Sequence, residues 1–518
     1  MVGTPLGALG LICHVDTPCP RLARFSCGRT RTRLRIGSGT GQGLICRSTS
    51  ARLGSRARSD TSPVARGTGL MPAKKIMVFT IPNDGHLNIL KRMIRQHQAA
   101  YDFQLVLVDR RNTPPDLSDV THRVVTLERS RQFLNTPASQ VFQRVDALLD
   151  DCVRVARSFD PDLIIYDFCA LEGHFVARIL GIPSWCSIPG LMGPFTHCAY
   201  LAANLSSAVN QRAIQSIQQR FSLDICQPGL EIISNCLHIP AEVNLLWSYP
   251  AVTPADFRHN REDATYRFAG YLSDGYRRAE GPVGPPTVYL SFGTEVMDNL
   301  WLTQEATRVG VRTCVAALAQ RWKSDPIQVV FATQGKTVLD HYPPNWAVHD
   351  KVDQQEVLSR ADVFVTHGGS NSFHEAILLQ VPMVVVPFFG DQILVAQRAD
   401  DLGIGIGVVT DDSIDKEKSK RLLNADLVDR IDEAVIQVLA TDKYRRSFDA
   451  LPLEATAPLS GLVEETVAEA PAATVPGQDL PGHDLGPDWE AALSAPSSHT
   501  GVDPTGRTAA ATTDRGPR

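Results

Sequence analysis

Two stretches of this chain carry residue types and spacings suited to moving a group from one molecule to another. The first is Asp362-Val-Phe-Val-Thr-His-Gly-Gly-Ser-Asn-Ser-Phe-His-Glu-Ala376. An apolar strand ends at Thr366, and His367, Gly368 and Gly369 form a tight turn. Ser370 or Asn371 then caps a helix that starts at once. Glycines let a ligand approach the backbone closely. The unpaired N–H groups of a first helical turn, with the helix dipole, suit a phosphate. Glu375 lies one turn into that helix, where a carboxylate can accept from ribose hydroxyls. Next comes Val381-Pro-Met-Val-Val-Val-Pro-Phe-Phe-Gly-Asp-Gln392, a buried strand that delivers Asp391 and Gln392 on a loop. Carboxylate beside carboxamide offers acceptors and donors to sugar hydroxyls. A strand–Gly–Gly–helix turn taken alone is also compatible with simple chain reversal.

The second stretch is Asn83-Asp-Gly-His-Leu-Asn88, which follows the first apolar strand. An imidazole there, His86, titrates in the range needed to take a proton from a hydroxyl at neutral pH. Its other nitrogen needs an orienting partner. Asp162-Leu-Ile-Ile-Tyr-Asp-Phe-Cys169 ends a strand with Asp167, which either pairs with His86 or caps the helix that follows.

These residues must be held by regular elements, and the apolar pattern supplies them. Strands are expected at Ile76–Ile81, Gln104–Val108 and Leu163–Tyr166, with helices at Leu87–Ala99, Val141–Ser158 and Leu171–Leu180. A second series of strands covers Thr287–Ser291, Gln328–Ala332, Val363–Thr366, Met383–Val386 and Ile406–Val409. Its helices are Gln304–Arg321, Asn371–Leu379, Gln392–Leu402 and Ala425–Leu439. Nearly continuous apolar strands alternating with helices indicate two α/β doubly wound domains with parallel sheets. Residues 273–286, with three Pro and three Gly in fourteen positions, read as the linker between an N-terminal domain, 71–272, and a C-terminal domain, 287–454. Two such sheets facing one another form a cleft at their carboxyl ends.

Composition sets the outer limits. The 518 residues are 43% hydrophobic and 21% charged with a net charge of −5, which excludes a fibrous or wholly disordered chain and argues against a nucleic-acid partner. No run approaches the ~20 apolar residues of a membrane helix. The 11 cysteines include no CxxC pair, and no metal cluster is expected. Residues 1–70 hold eleven Arg, no Lys and two acids, a charge of +9, and read as a disordered extension. That extension is either an organellar transit peptide or the product of a start codon placed upstream of Met71. Residues 455–518 have nine acids against three Arg and read as a disordered acidic tail. The cytoplasm is the expected compartment, with organellar targeting the alternative.

Taken together, Thr366, His367, Gly369, Asn371, Ser372, Glu375, Val381, Pro382, Pro387, Asp391 and Gln392 resemble the donor-binding signature of the family 1 glycosyltransferases, the UDP-glycosyltransferase superfamily. Val288-Tyr-Leu-Ser-Phe-Gly-Thr294 resembles the same family's first strand and turn of the second domain. The resemblance covers about 71–450 and implies the GT-B fold, two Rossmann-like domains around a central cleft. It implies that Thr294, His367, Gly369, Asn371 and Ser372 lie at the diphosphate, Glu375 at the ribose, and Asp391 with Gln392 at the transferred sugar. It makes His86 the general base and Asp167 its partner. It implies an inverting enzyme of secondary metabolism without metal or cofactor, moving a hexose from a UDP-sugar to a hydroxyl of a small acceptor. The acceptor pocket is expected around Ile188–Trp247, whose apolar and aromatic content suits a lipophilic molecule. The sequence departs from the family at three places. Lys351 and Asp353 stand where relatives carry Trp and Pro, with Trp346 five residues upstream; Gln380 replaces a Gly, and Ile89 a Pro. The first departure is the feature behind the rival reading, a catalytically inactive nucleotide-sugar-binding or activator protein. A nucleotide-sugar epimerase would need paired carboxylates, which the motifs do not offer.

Overall fold

The computed structural model describes residues 73–466, except 109–114, 119–122, 128–140, 192–207, 224, 226–230, 234–235, 255–264, 280, 282–283, 409–424, 455–458, 460, 462 and 465. The expectations for the Arg-rich head and for the tail beyond 466 lie outside the described residues, as does much of the stretch expected to line the acceptor pocket.

The first half runs β1 (Lys75–Thr80), α1 (Asp84–His97), β2 (Asp102–Val108), β3 (Arg123–Leu127), α2 (Val141–Phe159), β4 (Leu163–Asp167), α3 (Glu172–Leu180), β5 (Ser184–Ile188) and α4 (Ala208–Phe221). A small antiparallel pair, β6 (Glu231–Ile233) and β7 (Cys236–His238), precedes β8 (Val243–Leu246) and β9 (Tyr266–Phe268). Apart from β6 and β7 these strands form one parallel sheet in the order β3-β2-β1-β4-β5-β8-β9. The second half runs β10 (Thr287–Ser291), a wide helical turn (Glu295–Leu300), α5 (Glu305–Trp322), β11 (Gln328–Ala332), β12 (Trp346–His349), α6 (Gln354–Leu358), β13 (Val363–Thr366), α7 (Ser370–Leu378), β14 (Met383–Val385), α8 (Gln392–Asp401), β15 (Gly405–Gly407), α9 (Ala425–Leu439) and α10 (Lys443–Arg446). Its six strands pair in parallel in the order β12-β11-β10-β13-β14-β15.

The strands are apolar on both faces because helices cover both faces. In β1, Met77 and Phe79 pack towards α2 and α3, whereas Ile76 and Val78 pack with Leu87, Leu90 and Met93 of α1. In β10 the alternation repeats, with Val288 and Leu290 facing α5 and α9 and Tyr289 turned to the opposite layer. That opposite layer is continuous with the α1 layer of the first sheet. One apolar cluster runs from Leu90 and Met93 through Tyr271 to Phe364, Phe373 and Val385. Among the described residues no helix is long and apolar enough to cross a membrane.

Folded chain continues past residue 454, where composition places the start of the tail. Val463 is fully buried in the cluster that joins the two sheets, Leu459 packs beside it, and Trp185 Nε1 donates to Thr466 Oγ1 at 3.2 Å. A few apolar side chains suffice to dock a short helical segment although its neighbours in sequence are Ala, Pro and Glu. A chain shortened to residues 71–454 is therefore expected to be less stable than one ending after Thr466. Losing one fully buried Val is worth roughly 1.5–3 kcal/mol. Urea unfolding of the two forms checks this, and coincident midpoints would show the segment to be decoration.

Candidate active site

In open α/β sheets ligands bind where the strand order reverses, beyond the carboxyl ends of the strands. The first sheet reverses between β1 and β4, which pair Phe79 with Tyr166. The chain leaves β1 into α1, and β4 ends on Asp167, so His86 and Asp167 meet although 81 residues separate them. His86 Nδ1 lies 2.9 Å from each carboxylate oxygen of Asp167. With Nδ1–H donated to the carboxylate, the basic lone pair of the ring resides on Nε2. Phe168 stacks on the imidazole, centroids 5.5 Å apart, and holds its plane. Asp167 is fully buried, and its Oδ1 also accepts from the Cys169 N–H at 2.8 Å. It caps no helix: α3 begins after Leu171 without a side-chain cap. His86 sits in the first turn of α1, not in a loop, because the helix opens at Asp84, ahead of the apolar periodicity that begins at Leu87. Cys169 brings a thiol to the same place. Donor atoms of His86, Asp167 and Cys169 lie within 4.8 Å of one another, a set also able to hold a metal ion.

The second sheet reverses between β10 and β13, which pair Ser291 with Thr366. His367 leaves β13 and fills the space over two glycines. A Cβ on Gly293 would lie 2.2 Å from its Cε1, and one on Gly369 would lie 2.6 Å from its Nε2. Burial pushes the His367 imidazole down to about 4, with a Ser291 backbone contact pulling the other way, so the ring is a neutral hydrogen-bonding group. Its Nδ1 is buried and has no hydrogen-bond partner within the protein. Thr294 follows Gly293 as the N-cap of the wide helical turn, three residues beyond the end of β10, the strand that pairs with β13. Gly369 is the extended N-cap of α7, and its carbonyl takes the first helical bond, from Phe373. The N–H groups of Ser370, Asn371 and Ser372 are those that an α-helix leaves unpaired inside its first turn.

The remaining expected site residues divide. Ser372 Oγ accepts from Gln354 Nε2 at 3.0 Å, which fixes it at the helix start. Asn371 reaches across to the other domain, where its Nδ2 donates to the Gly85 carbonyl, one residue before His86, at 3.0 Å. Asp391 likewise faces the first domain. Its carboxyl is pushed up to about 6 by burial, while a Leu191 backbone N–H and the neighbouring His86 pull it down. A Cβ on Gly190 would sit 3.3 Å from its Oδ2. Gln392 has its carbonyl oxygen committed to the loop itself, accepting from the Phe388 and Phe389 N–H groups at 2.9 and 3.2 Å. Only its amide N–H groups remain for a sugar. Glu375 is buried and heavily bonded: Oε1 accepts from Arg92, Tyr271 and Gln355, and Oε2 from Gln354 at 2.6 Å.

Two side chains considered for ligand contact belong to the protein's interior. Trp346 packs among Trp322, Phe331 and Tyr342 in the core of the second domain, so it does not stack on a base. Trp247 is buried and donates to Ser187 Oγ at 2.8 Å, a core contact and not a pocket wall. Asp353, at the family's Pro position, caps α6 by accepting from the Glu356 N–H and also takes the Tyr276 hydroxyl at 2.8 Å. Sequence reasoning passed over Gln354, Arg92 and Tyr271. Gln354 follows the departure at Lys351 and Asp353. The partners of Arg92 lie up to 283 residues away, and a local pattern carries no trace of them.

Two parallel Rossmann-like sheets, each with its switch point at one cleft, make this a GT-B glycosyltransferase fold. Residues 275–430 match the family described as UDP-glucoronosyl and UDP-glucosyl transferase. The chain is 24% identical over 364 residues to the NDP-glycosyltransferase YjiC of Bacillus licheniformis, covering 65% of this chain and 85% of that protein. It is 25% identical over 362 residues to the oleandomycin glycosyltransferase of Streptomyces antibioticus, covering 65% and 80%. The crystal structure of the glycosyltransferase of kitacinnamycin superposes with a TM-score of 0.51 at 21% identity, over 77% of this chain and 96% of that one. Residues 275–430 carry that family's domain, and the chain is a glycosyltransferase, an enzyme that uses a nucleotide-sugar donor.

Proposed function

We propose that the protein is an inverting transferase that moves a hexose from a UDP-sugar to a hydroxyl of a small lipophilic acceptor, without a metal. The observation that carries this reading is that the donor signature closes onto the base. Asn371 bonds the backbone beside His86, and Asp391 lies close enough to His86 for the two to influence one another's charge. His86 Nε2 takes the acceptor proton, and Asp167 stabilises the imidazolium that forms. The acceptor oxygen attacks the anomeric carbon from the side opposite the leaving diphosphate, which inverts the centre. Charge growing on the diphosphate is met by the first-turn N–H groups of α7. The name of the Streptomyces relative, with its oleandomycin acceptor, supports a lipophilic hydroxylated substrate. A direct His–Asp hydrogen bond in this position favours a working base over a site that only binds. The test is UDP release with several UDP-sugars and a panel of hydroxylated acceptors in chelator, with the anomeric configuration of the product read by NMR. Retained configuration, or dependence on added metal, would overturn the proposal.

The carboxyl of Asp391 gives this reading a pH signature. Because its pKa is raised to about 6, it is ionised above that pH and protonated below it. Only the ionised form gives sugar hydroxyls a charged acceptor, worth roughly 1.5–3 kcal/mol per bond. The donor KM is expected to rise as pH falls through about 6. In Asp391→Asn it is expected to be high and flat across the same range, with inhibition by free UDP changed much less. A donor KM that keeps its wild-type pH dependence in Asp391→Asn would remove Asp391 from the sugar site.

A further inference from the structure

The proposed base and the proposed ribose ligand are mechanically joined. His86 and Arg92 belong to one helix, α1, six residues and about 9 Å apart along its axis. From there Arg92 leaves its own domain. Its Nη2 donates to Glu375 Oε1 at 2.8 Å, its Nη1 to the Tyr271 hydroxyl at 2.7 Å, and its Nε to Asp274 at 2.9 Å. The Tyr271 hydroxyl in turn donates to the same Glu375 oxygen at 3.1 Å. Gln355 adds a donor to that oxygen at 3.3 Å and bonds Asp274 at 3.2 Å, tying the linker into the same cluster. Two further ties cross this seam from α7, the Asn371–Gly85 bond to α1 and the bond of His374 Nε2 with Ser248, just past β8, at 2.8 Å. Arg92 is only 9% exposed and Glu375 4%, so the two charges face one another in a largely dry setting.

We infer that Arg92 is a positioning residue for the transfer reaction, gripping Glu375 from the helix that bears the base so that donor ribose and base are set in one geometry. The inference rests on the reading of Glu375 as the ribose ligand. It assigns to Arg92 two tasks that follow from chemistry. It offsets a buried negative charge that would repel a diphosphate. It also saturates Oε1, so that Oε2, with its single bond from Gln354, is the oxygen left to meet a ribose hydroxyl. A planar fork serves three acceptors at once; an ammonium does not.

The experiment is a double-mutant cycle on the full chain. Arg92→Lys keeps the charge but not the fork. It is expected to raise the donor KM, and the Kd for UDP by calorimetry, on the order of tenfold, leaving the acceptor KM unchanged. In a Glu375→Gln background the same substitution is expected to change neither. Tyr271→Phe, which removes one donor from Glu375 without altering charge, should act in the same direction and also vanish in that background. It keeps the question open to test if Arg92→Lys folds poorly. Equal factors in both backgrounds, or a lowered melting temperature with UDP affinity intact, would make Arg92 a structural tie only. UDP titration needs no acceptor, so a wild type that binds UDP yet transfers to no hydroxyl would count against the proposed reaction and not against this link.

Discussion

His86→Ala is expected to lower transfer turnover by ~10²–10⁴-fold, the usual contribution of a positioned general base. The Kd for UDP should change little. The imidazole bonds Asp167 and stacks on Phe168, both in its own domain, and the proposed diphosphate cradle is built from the other. A group that acts on the acceptor proton is lost from turnover and not from nucleotide affinity. Asp167→Asn is expected to be milder. The amide keeps one oxygen to accept from Nδ1 but cannot stabilise an imidazolium. Single-turnover kinetics with saturating donor, beside UDP calorimetry, checks both. Wild-type turnover in His86→Ala would return His86 to a helix-start residue with no chemical task and move the binding-protein reading ahead.

The parts of this site that were legible in sequence are those fixed by local backbone. Thr287–Ser291, Gln328–Ala332 and Val363–Thr366 could be read to the residue because most side chains on both faces of these strands are buried and apolar. The turn after a strand holds its residues at a set offset, so His367, Gly369 and Asp167 could be singled out by position, and the family resemblance supplied their roles. What was hidden depends on contacts across the fold. β5, Ser-Trp-Cys-Ser-Ile, and β12, Trp-Ala-Val-His, mix polar residues into strands, the first because Ser187 bonds Trp247 inside the core, the second because it lies at a sheet edge. Trp346, five residues upstream of the family's Trp position, is buried. Gln392 looked available for a sugar, yet its carbonyl ties its own loop. Glu375 reads from its helix as a lone carboxylate, but its partners come from α1, Tyr271 and α6. Residue types and offsets therefore pointed to the candidate site, while the hydrogen bonds within it depend on partners distant in sequence.

The second large effect is expected at a residue with no side chain. Gly293 has φ +71°, in the left-handed region, and the His367 ring occupies the place where its Cβ would stand. On its other side the ring lies tightly over Gly369, where a Cβ would come within 2.6 Å of its Nε2. Gly293→Ala must therefore displace His367 or the turn between β10 and Thr294. Overpacking costs about 1–3 kcal/mol and the left-handed backbone about 1–2 kcal/mol. If that strain falls on the donor cradle, UDP affinity drops by roughly 30-fold or more, since every 1.4 kcal/mol is tenfold. Gly335 provides the control that separates the two costs: its φ is +72°, and a Cβ there would meet nothing within 4 Å. Gly335→Ala is expected to lower stability alone, leaving UDP affinity as it was. Removing the obstructing ring, as Gly293→Ala combined with His367→Ala, should recover stability relative to Gly293→Ala but not UDP affinity, because His367 is itself part of the proposed cradle. Urea unfolding and UDP calorimetry on the four proteins distinguish the outcomes. Equal losses of stability in Gly293→Ala and Gly335→Ala, with UDP binding intact in both, would mean that the turn over His367 is a packing feature and that the diphosphate lies elsewhere along the edge of the second sheet.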